Sequence, residues 1–189
     1  MSKLIISIFI LSICGCSTYR VEGKLQNGEA AQICMGSTKL PDNVASSFVP
    51  IKDMPLLEKA LGSPKKGKLC QGEAYISNEN SNIIIFRAWN STNSNSKLGN
   101  WWAFSKPSGK IATYRAEYEI CYQWSPLDKL VSCTLKSNTK VVVGTGQSTE
   151  CSEYLSYEVS DKQQIYIEDA SSSLTDCTVF DGEFSWKEL

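Results

Sequence analysis

Six of the eight cysteines lie well beyond the apolar run at the start of the chain, and they limit the folds open to this sequence more than any other feature. They are Cys34, Cys70, Cys121, Cys133, Cys151 and Cys177. An even number of widely spaced cysteines is typical of a disulfide framework in an oxidising compartment. No two of them stand at the short gap of zinc ligands, and the chain contains no histidine. The pattern therefore predicts disulfides and no metal site.

The pairing of these cysteines is open, because six cysteines allow fifteen connectivities and the sequence does not choose among them. The sequential arrangement joins each cysteine to the next one along the chain. It gives Cys34–Cys70, Cys121–Cys133 and Cys151–Cys177. Each bridge would stabilise the fold by about 2–4 kcal/mol, mainly by restricting the unfolded chain. We therefore expect one disulfide-braced domain with this pairing.

The start of the chain has the pattern of an export signal. An apolar run at 4–13 follows Lys3, and it is much shorter than the roughly 20 residues that span a bilayer. Its end, LSICGC, resembles the lipobox of bacterial lipoproteins, with Gly15 at the small position before Cys16. The alternative is an ordinary secretory signal with two chance cysteines.

The lipoprotein resemblance carries its own implications for location. It implies that residues 1–15 are a signal peptide and that Cys16 carries the lipid, which anchors the protein to the membrane. Ser17 stands where an aspartate would hold such a protein at the inner membrane, which implies the bacterial outer membrane. The chain would face either the periplasm or the cell surface, and an envelope protein would be its partner.

The composition excludes several kinds of chemistry. Without histidine, Ser-His-Asp and Cys-His catalysis and histidine-ligated metals are ruled out. The 19 basic and 20 acidic residues nearly cancel, which argues against a nucleic-acid partner. On this basis we expect no cofactor.

The distribution of apolar residues predicts a β-rich α+β fold. Residues 16–72 form a lipidated N-terminus and a weakly patterned lead-in, with one short helix that Asp53 caps. Residues 73–189 form the β-rich core. Runs rich in valine, isoleucine and aromatic residues predict strands at 73–77, 82–89, 100–104, 129–135, 140–144 and 163–168.

The segment 111–124 fits two structures. Apolar and polar residues alternate along it, which is typical of a strand. Ile111, Tyr114, Tyr118 and Cys121 also form a helical stripe, and the alanine, arginine and glutamate residues favour a helix. We predict a helix because of the resemblance described below.

Arg87 ends the apolar strand IIIFRAW, and a buried arginine is costly without a partner. In a structural interpretation it pairs with a carboxylate such as Glu117 or Glu119 at the edge of the sheet. In a functional one it faces a cleft and binds an anion, since its planar fork suits phosphate.

The order of segments around Arg87 resembles that of ADP-ribosyltransferase-fold domains. These segments are the strand end FRAW, the aromatic run GNWWAFS at 99–105, a helix from Ile111, and a late strand with QIYI at 164–167. The resemblance covers about residues 80–168 and implies a split-sheet core that binds NAD. It implies that Arg87 holds the dinucleotide, and that Trp102, Phe104 and Ser105 flank the nicotinamide.

The catalytic position of that family differs here. The family places a glutamate at the start of the later strand, whereas this chain has Gln164. An amide can bind a ribose hydroxyl but carries no negative charge for a cationic transition state. Glu150, in the segment GTGQSTEC at 144–151, would then be the catalytic carboxylate, with Glu168 as another choice.

Two hypotheses follow. In the first, the protein is a non-enzymatic, lipid-anchored binding module of the cell envelope, and Arg87→Ala mainly lowers its stability. In the second, it is an ADP-ribosyltransferase-like protein, either a degenerate one or a toxin. In that case Arg87→Ala abolishes NAD binding and leaves the melting temperature nearly unchanged.

Overall fold

The computed structural model describes residues 33–79 and 82–182, and within them five antiparallel strands form the larger sheet. Its strands run in the order β1–β2–β6–β9–β4. They are β1 (Phe48–Pro50), β2 (Leu69–Ser77), β6 (Lys140–Gly146), β9 (Gln163–Tyr166) and β4 (Trp101–Trp102). β6 is central, and the run VVVGTG is buried throughout, as expected of a strand covered on both faces.

A second sheet has three antiparallel strands in the order β10–β5–β3. They are β10 (Leu174–Asp181), β5 (Lys129–Leu135) and β3 (Ile83–Trp89). A bridge between Phe86 and Ala103 connects β3 to the chain just after β4. The strands β7 (Thr149–Ser152) and β8 (Leu155–Tyr157) form a separate hairpin.

The helices are short. They are α1 (Asp42–Ala45), α2 (Met54–Ala60), α3 (Ile111–Glu117) and α4 (Ala170–Ser173), with a 3₁₀ turn at Ser94–Leu98. α2 begins as predicted, because the Asp53 side chain accepts a hydrogen bond from the Leu56 amide at 3.1 Å. Pro55 fits the first turn, where its missing N–H would have no helical partner.

The core has two parts. The larger lies between the sheets, where Ile85, Val131 and Leu135 of the three-stranded sheet cluster with Val143 and Ile165 of the five-stranded sheet. The smaller lies on the other face of the larger sheet, where α2 buries Leu56 and Ala60 against Leu69, Ala74 and Val142. The layers are therefore a helix, a five-stranded sheet and a three-stranded sheet.

The predicted β-rich α+β class is confirmed. All six predicted strands are present, although β4 is shorter than expected and β2 begins earlier. The sequence patterns missed β1, β7, β8 and β10. The predicted helix from Ile111 is present but ends at Glu117, and the rest of the ambiguous segment is turns.

The disulfide prediction is right for one bridge and wrong for two. Cys34 pairs with Cys70 as expected. The predicted Cys121–Cys133 and Cys151–Cys177 bridges are replaced by Cys121–Cys151 and Cys133–Cys177. The reason is β10, which pairs with β5 and whose bulge between Thr175 and Thr178 brings Cys177 beside Cys133. Cys121, in the turns after α3, pairs instead with Cys151 of β7.

Some expectations concern parts of the chain that are not described. The predicted signal peptide at 1–15 and the lipid site Cys16 lie outside the described residues. Within 33–79 and 82–182, no helix is long and apolar enough to cross a membrane. The expected boundary between residues 72 and 73 falls inside β2, so the lead-in and the core share one sheet.

Candidate functional site

A cavity of about 160 Å³ lies where β3, β4 and β9 meet α3 and the turns that follow it. Aromatic side chains form much of its wall, and three polar side chains reach it from different elements. The aromatic residues are Phe86, Trp101, Trp102, Tyr114, Tyr118 and Trp124, and the polar residues of interest are Arg87, Glu119 and Gln164. Trp124 is 53% exposed, so its ring stands at the rim of the cavity.

Arg87 is held by the backbone of the segment that leads into β4. Its Nε donates a hydrogen bond to the Ser96 carbonyl at 2.8 Å, and its Nη1 donates to the Trp101 carbonyl at 2.7 Å. Gly99 lies against the guanidinium, since a Cβ added there would come within 2.5 Å of Nη2. These contacts fix the arginine fork in one orientation.

Arg87 keeps its charge despite its burial. Desolvation lowers the pKa of its guanidinium to about 10, which leaves the group protonated at neutral pH. Among the described residues, no carboxylate forms a salt bridge with it and no hydrogen bond uses Nη2. A half-buried cation with a free N–H donor is therefore a feature of this cavity.

Tyr114 and Tyr118 cover one side of the cavity. They are four residues apart, so they lie on one side of α3 at its C-terminal end, and their ring centroids are 4.5 Å apart. Burial raises the pKa of both phenols. The Tyr114 phenol also interacts electrostatically with Arg87, which places it at the arginine end of the cavity.

Glu119 lies beyond Tyr118 and is only 3% exposed. Its Oε2 accepts a hydrogen bond from Gln164 Nε2 at 2.8 Å, whereas its buried Oε1 has no hydrogen-bond partner in the described part of the chain. Desolvation raises the pKa of this carboxyl to about 8, against the opposing effects of Ser160 and Gln164. Glu119 is therefore mostly neutral at pH 7.

Gly146, at the end of β6, is the residue that makes room for this carboxyl. A Cβ at position 146 would come within 1.8 Å of Glu119 Oε2 and 2.3 Å of its Cδ. Glu119 has a positive φ of 49°, a conformation that the tight turn after α3 imposes. A side chain at position 146 would therefore have to displace the Glu119 carboxyl.

Two devices hold the turns at 118–125, which form this wall. Arg115 Nη1 donates hydrogen bonds to the Ile120 and Cys121 carbonyls, and its Nη2 donates to the Ser125 carbonyl. The Cys121–Cys151 disulfide ties the same segment to β7. Arg115 at the end of α3 and the disulfide from β7 therefore both fix this wall of the cavity.

The structure brings together three of the residues singled out in the sequence. Arg87, Trp102 and Gln164 all line the cavity, and the Trp102 indole donates to the Gly99 carbonyl at 2.7 Å. The other three do not line it. Phe104 packs edge-on against Phe48 in the core, Ser105 is exposed after β4, and Glu150 pairs with Lys65 on the surface.

The expected carboxylate partner of Arg87 was wrong. Glu117 lies 3.6 Å from Lys162, and Glu119 is bonded to Gln164. Backbone carbonyls take the place of the predicted ion pair. Sequence reasoning also missed Tyr114, Tyr118 and Trp124 as cavity residues, although the four-residue spacing of the tyrosines behind a strand-end arginine was a usable signal.

Among the described residues, no group of three or more histidine, cysteine, aspartate or glutamate side chains could hold a metal ion. Besides the tyrosine hydroxyls and the tryptophan N–H groups, the polar side chains that line the cavity are two cations, Arg87 and Lys68, one carboxyl and one amide. Such a set suits hydrogen bonding to an anion rather than metal ligation.

Comparisons with known proteins leave the family open. No family model and no curated protein matches the sequence. A solved structure described as "Structure of Tne2 in complex with Tni2" matches with a TM-score of 0.41 and 11% identity, over 65% of this chain and 100% of the matched chain. A similarity at that level is too weak to indicate a fold or a function.

Proposed function

We propose that the chain is a lipid-anchored protein of the bacterial outer membrane that binds another envelope component without catalysing a reaction. The cavity around Arg87 is the binding site, and the exposed aromatic side chains at its rim contact the partner. Cys16 carries the anchor, on the strength of the lipobox-like sequence LSICGC.

The observation that carries this proposal is the state of Arg87. Arg87 is half-buried and charged, its Nη2 has no hydrogen-bond partner among the described residues, and aromatic side chains line the same cavity. A fixed guanidinium with a free donor beside aromatic rings suits an anionic group on an apolar body. A bound anionic group would pair with this donor, and no nucleophile or charged base is needed.

Two exposed aromatic side chains support a protein partner: Trp124 lines the cavity, and Tyr122 precedes it by two residues. Tyr122 is 59% exposed and Trp124 is 53% exposed, and both follow the disulfide cysteine Cys121. Tyrosine and tryptophan supply large contact areas at little conformational cost and are enriched at binding hot spots. The disulfide holds this pair in a fixed position before binding.

Site-specific photocrosslinking in living cells tests the proposal. A photoreactive phenylalanine analogue replaces Tyr122 in the full chain, and the matched control replaces Val49 on β1, at the opposite edge of the larger sheet from β4. We expect a discrete adduct from position 122 alone, lost when Arg87→Met is added. Cys16→Ala should release the protein from the outer-membrane fraction. Adducts of equal yield from both positions, or none, would contradict the proposal.

A second candidate is NAD binding of the ADP-ribosyltransferase type. One observation favours it: Arg87, Trp102 and Gln164, which the family resemblance selected, line one cavity. The volume of about 160 Å³ opposes it, since sites for cofactors and drug-sized ligands typically measure about 300–1,000 Å³. The distance of Glu150 from the cavity lining also leaves this candidate without its predicted catalytic carboxylate.

Calorimetric titration of the full, disulfide-intact chain with NAD tests this second candidate. Heat of binding that disappears in Arg87→Ala, with an unchanged melting temperature, would support it. No heat up to about 1 mM NAD, where binding would be weaker than about −4 kcal/mol, would eliminate it.

A further inference from the structure

The two ends of the cavity differ in chemistry. At one end Arg87 offers Nη2, whose position Gly99 and the Ser96 and Trp101 carbonyls fix. At the other end is Glu119, whose buried Oε1 has no hydrogen-bond partner among the described residues. The aromatic side chains of Tyr114 and Tyr118 lie between these ends.

The size of the cavity restricts what can enter. Its volume of about 160 Å³ is close to that of an engineered cavity of about 150 Å³ that holds benzene. A ligand group the size of one aromatic ring or one short side chain therefore fits. The surrounding rings of Trp101, Trp102 and Tyr114 suit an apolar body for that group.

The charge of the cavity selects among anions. Arg87 brings one positive charge whose position is fixed. Lys68 also lines the cavity, but its side chain is exposed and its ammonium donates to the Lys59 carbonyl at 3.0 Å, while the Glu119 carboxyl is held neutral by its burial at pH 7. A phosphate monoester would bring roughly 1.5–2 negative charges and leave part of them uncompensated. A carboxylate brings one, and its two oxygens match the planar arginine fork.

We propose that this cavity is a receptor for a single carboxylate on a small apolar body, with the carboxylate on Arg87 and the body against the rings of Trp101, Trp102 and Tyr114. The carboxylate is either a free small molecule or an acidic side chain or C-terminus of a protein partner. This inference deepens the proposed binding function and rests on it. Because the planar guanidinium matches the geometry of a carboxylate, one fixed arginine gives specificity for that group as well as affinity.

Competition among three small probes tests the charge requirement. Benzoate, benzamide and phenyl phosphate share one ring and differ in charge, and each is titrated calorimetrically into the full, disulfide-intact chain. We expect benzoate to bind at least about tenfold more tightly than the other two, a difference of about 1.4 kcal/mol. Equal affinity for benzoate and benzamide, or no binding of benzoate up to about 10 mM, would overturn the inference.

Three variants assign the effect to Arg87. Arg87→Met removes the charge, and Gly99→Ala pushes the guanidinium from its place while keeping the charge. Both should weaken benzoate binding at least about tenfold, and the second keeps the test valid if the first does not fold. Lys140→Met removes a cation that pairs with Asp53 and does not line the cavity, and it should leave benzoate binding within about twofold.

Peptides separate the two sources of the carboxylate. Short peptides ending in phenylalanine are compared as free acids and as C-terminal amides. Binding of the acid alone, together with a crosslinked partner at position 122, points to a protein partner. Binding of benzoate without that adduct retains the carboxylate site and rejects the protein partner, whereas an Arg87-dependent adduct without benzoate binding rejects the carboxylate site alone.

Discussion

Two arginines brace two loops of this protein by the same chemistry, and only one of them belongs to the cavity. Arg115 spends both of its terminal nitrogens on three backbone carbonyls of the turns after α3. Arg87 donates from Nε and Nη1 to the carbonyls of Ser96 and Trp101, and its Nη2 has no partner among the described residues. An arginine without a carboxylate is therefore not in itself a sign of a binding site. The donors that remain, and the space they face, make the difference.

Burial separates the two arginines further. Desolvation lowers the pKa of both guanidinium groups, and for Arg87 the pKa falls to about 10. The carbonyls that both arginines serve are partly buried, but the Cys121–Cys151 disulfide also holds the turns that Arg115 braces. The comparison thus predicts different energetic roles for two residues with nearly the same hydrogen-bonding pattern.

The largest expected effect is on the Arg115 side and comes from the disulfide there. Replacing both Cys121 and Cys151 with serine removes a bridge between residues separated by 30 positions. We expect the free energy of unfolding to fall by about 3–4 kcal/mol, because the unfolded chain gains freedom. Urea denaturation measures it. A loss below about 1 kcal/mol would mean that Arg115 alone fixes the turns.

The next effect concerns Arg87 itself. Arg87→Met leaves the Ser96 and Trp101 carbonyls without their donors, and we expect a loss of about 2–3 kcal/mol in stability. Denaturant unfolding with an unchanged m-value is the measurement. If the variant were more stable than the original chain, bracing of the segment before β4 would not be a role of Arg87.

The third effect is on the pH dependence of stability. The pKa of Glu119 is about 8 in the folded chain and near 4.5 when exposed, so the folded state keeps a proton that the unfolded state releases between these values. The free energy of unfolding therefore falls as pH rises from about 4.5 to 8. Glu119→Gln removes this titration and should gain at least about 1 kcal/mol on the original chain between pH 5 and pH 9.

Thermal unfolding at several pH values checks this prediction. Glu117→Gln is the matched control. Glu117 is two residues earlier in the chain, and its carboxylate is 3.6 Å from the Lys162 ammonium at the surface. The other ionisable groups around the cavity are Tyr114, Tyr118, Arg87 and Lys68, and they remain in both variants. Identical pH profiles for the two variants would contradict the assignment to Glu119.

The smallest effect is expected for Arg115→Met. The Cys121–Cys151 disulfide still holds the turns that Arg115 serves, so we expect a loss of about 1 kcal/mol or less while the disulfide is intact. Combining it with the cysteine replacements should lower stability by more than the sum of the two changes, because both fix the same turns. Strict additivity would show that they act independently.

The sequence predicted the parts of the fold that local patterns determine. Asp53 and Pro55 mark the start of α2, and the valine-rich run of β6 marks a central strand. β10 was missed because most of its residues are exposed and polar and a bulge interrupts it. Because β10 was missed, Cys177 was not placed beside Cys133. The error in the disulfide prediction therefore arose from a missed strand.

The site was predictable only in part for a similar reason. Arg87 could be found because an arginine inside an apolar strand is conspicuous in a sequence. The role of Glu119 depends on the turn after α3 and on Gln164, which is 45 positions away. Nothing in the local pattern shows that these two side chains meet or that one carboxyl oxygen lacks a partner.

The close approach of Gly146 to Glu119 has a consequence for related sequences. Because any side chain at position 146 would occupy the space of the Glu119 carboxyl, these two positions cannot vary independently. Chains that share this fold should either keep glycine and glutamate together or change both at once, with a larger residue at 146 beside a smaller one at 119. The two positions would then covary across a family, and that covariation would trace the history of the cavity.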